Sequence, residues 1–496
     1  MLESNAPALT PLIYLFAAIL IPILGWKWQR SAYPAALAAS LSAAAVSVYN
    51  LVKALASGTI HYQFGGWSAP VGIEYVLDPL SGFMTVVVNS ISLIVMIHAG
   101  VNAVREIQPH KHVPYWALVM LMLCGYNGII MTGDFFNLYV FLEISSLALY
   151  GLVAAGDKKS PVAAFRYLIM GTVGGSFYLL GTGFIYFTTG SLNMLDVKNI
   201  IPELGVHPGL LTGLAFIVIG FGIKMAMFPL HLWLPDAYTH APSPTSSLMA
   251  PTGIKIGAYG IIRILLYIFG LTFVTRVFPV ADIVIWLSAA GIIYGSILAM
   301  PQKELKRMLA YSSVSQIGYI GLGIGLANPM GLTGALLHVL NHGMMKACLF
   351  LVSGNFRVRL GHSNIDKFDV NVRRQLPWTT AAFTVGAMAM IGIPPTVGFF
   401  SKWYLALGTI ADKKWFFLGV ILLSSLLNAV YFFRVLEKIY LTPAAKREDA
   451  SKKKEAAAGM LIPTLIFAAA LILLGLFNVL VVNHVIMKII SPEIWP

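Results

Sequence analysis

Runs of about 20 predominantly apolar residues, the length an α-helix needs to cross a bilayer, recur from Leu9 to Met487 with only short polar breaks between them. Of the whole chain, 58% of residues are hydrophobic and 11% charged, whereas soluble domains carry about 25% charged residues. The pattern predicts an all-α integral membrane protein with about fourteen transmembrane helices. They are expected near residues 9–26, 32–56, 79–103, 113–132, 135–155, 161–189, 208–234, 246–270, 277–300, 307–327, 331–355, 377–407, 415–437 and 458–482. No linker is long or polar enough to separate domains. The most polar candidate, Pro443 to Gly459, reads as a loop that charges one membrane face.

The first run, Thr10 to Trp26, is followed by no small-residue cleavage signal and a second apolar run starts at once, so it reads as a retained helix. An even number of crossings then puts both termini on one side. The chain holds 33 Lys and Arg against 20 Asp and Glu, a formal charge of +13. A nucleic-acid binder would cluster such an excess on one surface. Here the basic residues are dispersed among apolar helices, and most fall in alternate loops holding Lys27/Arg30, Arg105/Lys111, Lys158/Lys159/Arg166, Lys303/Lys306/Arg307, Arg357 to Arg374 and Lys438 to Lys454. The positive-inside rule makes that face cytoplasmic and both termini non-cytoplasmic, in a cell membrane.

Cysteine chemistry, metal catalysis and nucleotide chemistry find no support. Cys124 and Cys348 each stand alone in an apolar stretch, which fits packing. His338 and His342 are four apart, but Val339 occupies the place of the glutamate in an HExxH zinc helix. No Rossmann glycine fingerprint or P-loop is visible, so no cofactor or metal is expected and energy must come from a partner subunit or an ion gradient.

Two segments exceed a single span and contain proline: Pro208 to Pro235 with Pro229, and Trp378 to Leu407 with Pro394 and Pro395. Proline has no amide hydrogen, so Pro229 releases the carbonyl of Met225, and Pro394 and Pro395 release those of Met390 and Ile391. Freed carbonyls in lipid are costly and should face protein or water. Two such discontinuous helices at comparable places point to an inverted-repeat transporter. The single domain 1–496 is accordingly divided into N-terminal helices (1–110), a first five-helix repeat (111–272), a second, inverted repeat (273–440), and a loop with a final helix (441–496).

Ionisable residues inside the spans are the strongest functional signal. Glu143 is the one carboxylate near the middle of a proposed span, where an isolated charge costs at least about 2.5 kcal/mol on insertion scales. Candidate partners are Lys224, Lys255, Lys346 and Lys402. Burial disfavours a charged lysine and a nearby carboxylate restores it, so an amine held between those influences can load and release protons. Lys346 fits equally well as a helix-joining residue. His338, His342 and Lys346 follow one stripe of a helix at steps of roughly 6 Å, a spacing that suits a proton relay through waters. Gly171, Gly174 and Gly175 permit close helix packing, and the hydroxyls of LAYSSVSQIGY suit bonds across helices.

Taken together, Glu143 in NLYVFLEISSLALYG, Lys224 before FPLHLWLPDAYTHAPSP, Lys255 in IKIGAYGIIR, KRMLAYSSVSQIGY and GIPPTVGFFSKWY closely resemble the antiporter-like subunits of respiratory complex I, of Mrp-type cation/proton antiporters and of membrane-bound hydrogenases. The resemblance covers nearly the whole chain. It implies a fourteen-helix fold with two inverted five-helix repeats, discontinuous seventh and twelfth helices, and a polar axis along the membrane midplane. Carried over residue by residue, Glu143 and Lys224 look like the family's ion pair, Lys255 its central carrier, His338 and His342 its relay, and Lys402 its terminal carrier. Lysine at 402 is unlike the complex I subunit type with glutamate there, and a chain ending at Pro496 lacks room for another type's long lateral helix. The Mrp D-type or hydrogenase-type branch is favoured, with a proton-pumping complex I subunit as the alternative. The implied partners are other membrane subunits, the lipid bilayer, H+ and a possible Na+ cargo. A stand-alone solute carrier and a purely structural scaffold are the competing readings.

Overall fold

A computed structural model of the chain describes residues 2–156, 158–444 and 455–490. It is nearly all helical. The N-terminal part contains α1 (Leu2–Lys27), α2 (Ala32–Ser57), α3 (Pro79–Glu106) and α4 (His112–Met131). Then come α5 (Phe135–Ala154), α6 (Ser160–Thr189), a short α7 (Met194–Leu204), α8 (Pro208–Lys224), α9 (Leu234–His240) and α10 (Ser243–Ile262), which runs on as a π-helix to Phe269. The remainder holds α11 (Val280–Ala299), α12 (Leu305–Leu326), α13 (Pro329–Leu360), α14 (Val370–Gln375), α15 (Pro377–Ile391), α16 (Val397–Ala411), α17 (Trp415–Tyr440) and α18 (Ala458–Leu476), followed by helical turns to Ile489. The basic loop expected between Pro443 and Gly459 lies largely outside the described residues.

Eleven helices among the described residues are long and apolar enough to cross a membrane, by length and composition. Three further expected crossings differ for physical reasons. The segments expected at 208–234 and 377–407 are cut, α8 from α9 and α15 from α16, so neither half is a full span. α12 is long enough but begins with Lys306 and Arg307 and carries Ser312, Ser313, Ser315 and Gln316. It tolerates them because its side chains are buried almost all round: Ser315 meets Ser296 on α11, Ser312 accepts from Lys346 on α13, and Ser313 donates to the Leu309 carbonyl of its own helix.

Helix ends are set by local chemistry. Asp78 caps α3 through the Ser81 amide at 2.8 Å, and the Ser81 hydroxyl returns a bond from the Asp78 amide. Asp134 caps α5 and Asn328 caps α13 in the same way. Two elements were not anticipated. Residues Ile60–Gln63 (β1) and Glu74–Leu77 (β2) pair antiparallel between α2 and α3; their signal is a short alternation of β-branched and aromatic residues with polar ones, too brief to stand out beside long helices. α7 buries Met194, Val197 and Ile201 at helical spacing and leaves its other face polar.

The loops carrying the basic excess gather at one end of the bundle. Asp236, in the turn of α9, accepts from Arg166 at 2.7 Å and from Arg307 at 3.0 Å. Asp366 sits between Arg434 at 3.2 Å and Lys303 at 3.6 Å. These contacts join the α5–α6, α11–α12, α13–α14 and α17 ends; the β1–β2 hairpin and α7 lie at the other.

α18 crosses the α15–α16 break so closely that a Cβ on Gly475 would stand 2.0 Å from the carbonyl oxygen of Pro395. Gly475→Ala is expected to lower the thermal unfolding midpoint of the purified protein, with a loss of about 1–3 kcal/mol. Gly419→Ala, where nothing stands within 4 Å, should leave it unchanged. Equal midpoints for the two variants would contradict the packing of α18 on the break.

A buried axis of lysine and histidine

The expected site residues come from five helices. α5 supplies Glu143, α8 supplies Lys224 as its last residue, α10 supplies Lys255, α13 supplies His338, His342 and Lys346, and α16 supplies Lys402. Lys255, Lys346, His338 and His342 are fully buried and Lys402 is 6% exposed; Glu143 and Lys224 are half-buried.

Lys402 lies just beyond its helix break and reaches back across it. Its Nζ donates to the carbonyl of Met390 at 3.1 Å, to that of Ile391 at 2.9 Å and to the Ser425 hydroxyl at 3.2 Å. Those two carbonyls are the ones Pro394 and Pro395 deprive of amide partners. Asn428 adds a second bond to Met390 at 3.3 Å. Gly392 makes the turn, with φ of 93°, and the Lys402 stem passes within 3.2 Å of where a Cβ would be.

The other break is built differently. α8 ends at Lys224, before Pro229 could act on it, so the Met225 carbonyl was never part of the helix ladder. The last turn is closed by backbone amides, Met227 on the Gly222 carbonyl at 2.8 Å and Ala226 on that of Ile223 at 3.1 Å, and the Trp233 indole adds a second bond to Ile223 at 2.9 Å. Ala226 takes a left-handed φ of 57° to turn the chain. Lys224 is therefore left for α5, and its Nζ donates to the Ser146 hydroxyl at 2.7 Å.

Glu143 and Lys224 do not form a direct ion pair among the described residues. Ser146, one helical turn from Glu143, takes the amine instead, and Glu143 Oε1 is buried with no protein partner. Gly175 gives the carboxylate its room, since a Cβ there would stand 2.2 Å from Oε1. Gly171 does the same for the Tyr150 hydroxyl at 2.0 Å. Of the glycines read as packing residues, Gly175 thus shapes the space around Glu143, while Gly174 packs against Ile223 and Gly220 of α8. A cavity of about 30 Å³ continues from Lys224 and Ser146 past Tyr126 and Tyr167 to Gly253 and Gly257 on α10, a volume sufficient for about two waters.

Lys255 donates to one acceptor, the Ala250 carbonyl of its own helix, at 2.8 Å. Lys346 is tied to α12 through the Leu309 carbonyl at 2.7 Å and the Ser312 hydroxyl at 2.6 Å, which fits a helix-joining role as well as a transfer role. The His338 and His342 rings are nearly parallel, 5.8 Å apart between centroids. Nδ1 of His338 meets the Ser401 hydroxyl at 2.9 Å, next to Lys402, while its Nε2 and both nitrogens of His342 have no protein partner. The Tyr319 ring packs against His338 and lies 5.1 Å from Lys402 Nζ. No group of three or more His, Cys, Asp or Glu residues able to hold a metal is present among the described residues.

Sequence reasoning missed two features. Buried His98 and Asn102 and half-buried Glu106 form a stripe on α3, where His98 bonds Asn355 at 3.0 Å and Glu106 accepts the Ser243 amide at 2.7 Å; their four-residue spacing was the available signal. At the far end of α10, Arg263 pairs with Asp78 on α3's N-terminal cap.

Residues 132–428, more than half of the chain, match the family described as "NADH:quinone oxidoreductase/Mrp antiporter, TM". The chain is 44% identical over 503 residues to the N-type subunit of NADH-quinone oxidoreductase from Desulforudis audaxviator, covering 98% of each chain. It is 30% identical over 419 residues to the D-type subunit of a Na(+)/H(+) antiporter from Bacillus subtilis, covering 84% of this chain and 82% of that one. Among solved structures, a chain of the archaeal membrane-bound sulfane sulfur reductase superimposes with a TM-score of 0.91 at 28% identity, over 99% of this chain and 98% of that one. A chain of the Mrp complex from Dietzia sp. shares the fold, with a TM-score of 0.86 over all of both chains at 24% identity.

Alanine at 392 would have to hold a left-handed φ and crowd Lys402. Gly392→Ala is expected to cost about 1–2 kcal/mol in stability, read as a lower thermal midpoint. An unchanged midpoint would mean that the α15–α16 turn does not need glycine.

Proposed function

Because the chain belongs to the NADH:quinone oxidoreductase/Mrp antiporter transmembrane family, we propose that it is an antiporter-like subunit of a multisubunit membrane complex that relays protons along Glu143, Lys224, Lys255, His342, His338 and Lys402. The observation that carries this reading is the state of Lys255. An ammonium has three donors to satisfy, yet this fully buried amine has one oxygen among the described residues. It is therefore a poor resting place for a fixed charge and a good place for a proton in transit.

The groups on either side support transfer. Buried polar atoms without protein partners bond water, and Glu143 Oε1, the Tyr126 hydroxyl, His342 and Nε2 of His338 are such atoms. Waters held by them would bridge Lys224 to Lys255 and Lys255 to the histidines. Ser401 then joins His338 to the neighbourhood of Lys402. Opening or closing the approach of Glu143 to Lys224 changes the field felt by the next amine, and the groups titrate as a coupled set.

A neighbouring subunit has a place to act. Phe136, Val140 and Leu147 are exposed on the outer face of α5, and half-buried Glu143 falls on the same helical stripe. A carboxylate facing lipid is costly; a partner covering this face would shield it and bias its charge. Fourteen crossings, with α8–α9, α12 and α15–α16 added to the eleven apolar helices, the two-repeat division and non-cytoplasmic termini complete the proposed topology. The positive-inside rule supports that orientation. Relatives named for NADH-quinone oxidoreductase and for Na(+)/H(+) antiporters both support a coupled ion-moving complex as the parent.

In vesicles bearing the intact parent complex, Glu143→Ala and Lys224→Ala are expected to reduce proton movement by about 100-fold while assembly is retained. Undiminished movement in both variants at equal assembly would overturn the relay and leave these residues a structural role.

A further inference from the structure

α10 carries more than Lys255. Lys255, Tyr259 and Arg263 follow one another at four-residue steps of roughly 6 Å along one side of the helix, leading from the buried axis toward the end of the bundle that holds the β1–β2 hairpin. Arg263 Nε and Nη2 donate to the Tyr259 hydroxyl at 3.1 and 3.0 Å, and Arg263 Nη2 donates to Asp78 at 2.9 Å. A second bond from Nη1 makes the Asp78 pair bidentate. Both partners are nearly buried, at 10% and 9% side-chain exposure.

Beyond this pair a cavity of about 200 Å³ runs out under the hairpin. Asp78 and Arg263 form its inner wall; Glu74 and Lys198 line its side; Thr59 and His61 stand at its rim. Thr59 is exposed and the His61 side chain is 39% exposed. His61 Nδ1 lies 2.9 Å from buried Glu74, whose other oxygen accepts from Asn193 at 2.7 Å. Water at the rim thus reaches a row of titratable groups that stops at an ion pair one helical turn beyond Tyr259.

We propose that this cavity is the mouth of the proton axis on the hairpin side of the membrane, and that the Asp78–Arg263 pair is its inner closure. The inference rests on the relay proposed above. While the pair is made, the guanidinium stands across the path and repels a proton coming from either side, so the axis does not leak. When it parts, and the Tyr259 hydroxyl turns from the Ile130 carbonyl to which it donates at 2.6 Å, the Asp78 carboxylate is free to take the proton released by the Lys255 ammonium, passed through water and that hydroxyl, leaving a neutral amine and a carboxylic acid. Asp78 then returns to its carboxylate by giving that proton to water in the cavity, with Glu74 and His61 between it and the rim. Every step moves one proton and is reversible, so the same mouth serves uptake or release.

The test uses the intact parent complex carrying Thr59→Cys, in vesicles exposed on the hairpin side to a positively charged, membrane-impermeant thiosulfonate. Cys124 and Cys348 are buried and serve as the silent background. Labelling of Thr59→Cys is expected, with loss of most proton movement and recovery on reduction of the adduct; Lys198→Cys, at another point of the same wall, should behave alike and stands in if Thr59→Cys does not assemble. Absence of labelling at both sites, or full labelling with unchanged movement while Lys224→Ala is inactive, would overturn the mouth and reduce the ion pair to a clasp between α3 and α10. Undiminished movement in Lys224→Ala would instead show that the relay itself is wrong.

Discussion

Inside a bilayer neither a backbone carbonyl nor an amine can turn to water, so each has to be matched by the protein. The arrangement of charge in this chain depends on where the helical ladder is cut. α15 ends at the left-handed Gly392, Pro394 and Pro395 beyond the turn offer no amide to the Met390 and Ile391 carbonyls, and Lys402 fills both from the far side of the gap. One defect answers the other: the break gives a buried amine its acceptors, and the amine relieves the break. At the first break backbone amides and the indole of Trp233 meet the last carbonyls of α8, and Lys224 reaches α5.

The four lysines of the axis consequently differ in how firmly they are held. Lys402 has three oxygens around its Nζ, Lys346 two, and Lys224 and Lys255 one each among the described residues. A graded set of this kind has a tight end and a loose middle. Because Lys255 also heads the stripe through Tyr259 to Arg263, α10 connects the buried lysines and histidines to one face of the bundle. α13 connects it to the second break through His342 and His338. Charge can be displaced along such a line only if its members affect one another, and a direct, permanent Glu143–Lys224 pair would work against that. Ser146 between them keeps the two charges near each other without locking them.

Most of the architecture was legible in the sequence, because apolar runs of spanning length and interior prolines act through local chemistry that no tertiary contact has to supply. The buried lysines and histidines were legible for the same reason: a charge in an apolar run has few explanations. Partners across helices were not. Nothing in the order of residues tells that Ser146 takes Lys224, that Ser401 meets His338, or that α8 stops at Lys224, short of the position where Pro229 would end it. The hairpin escaped notice because its strands are short, and the Asp78–Arg263 pair because its members lie 185 residues apart in the chain. α12 read as a spanning helix although its own composition is too polar for lipid, since burial by its neighbours is a property of the bundle.

The most direct measurement is proton movement by the intact parent complex carrying Lys255→Met, a substitution that keeps the apolar stem and removes the amine, compared with wild type at equal assembly. A relay through the loosely held central amine requires movement to fall to background in this variant while the complex remains assembled. Proton movement at the wild-type rate would show that the axis is bypassed at its centre, and would contradict the assignment of Lys255 as the carrier.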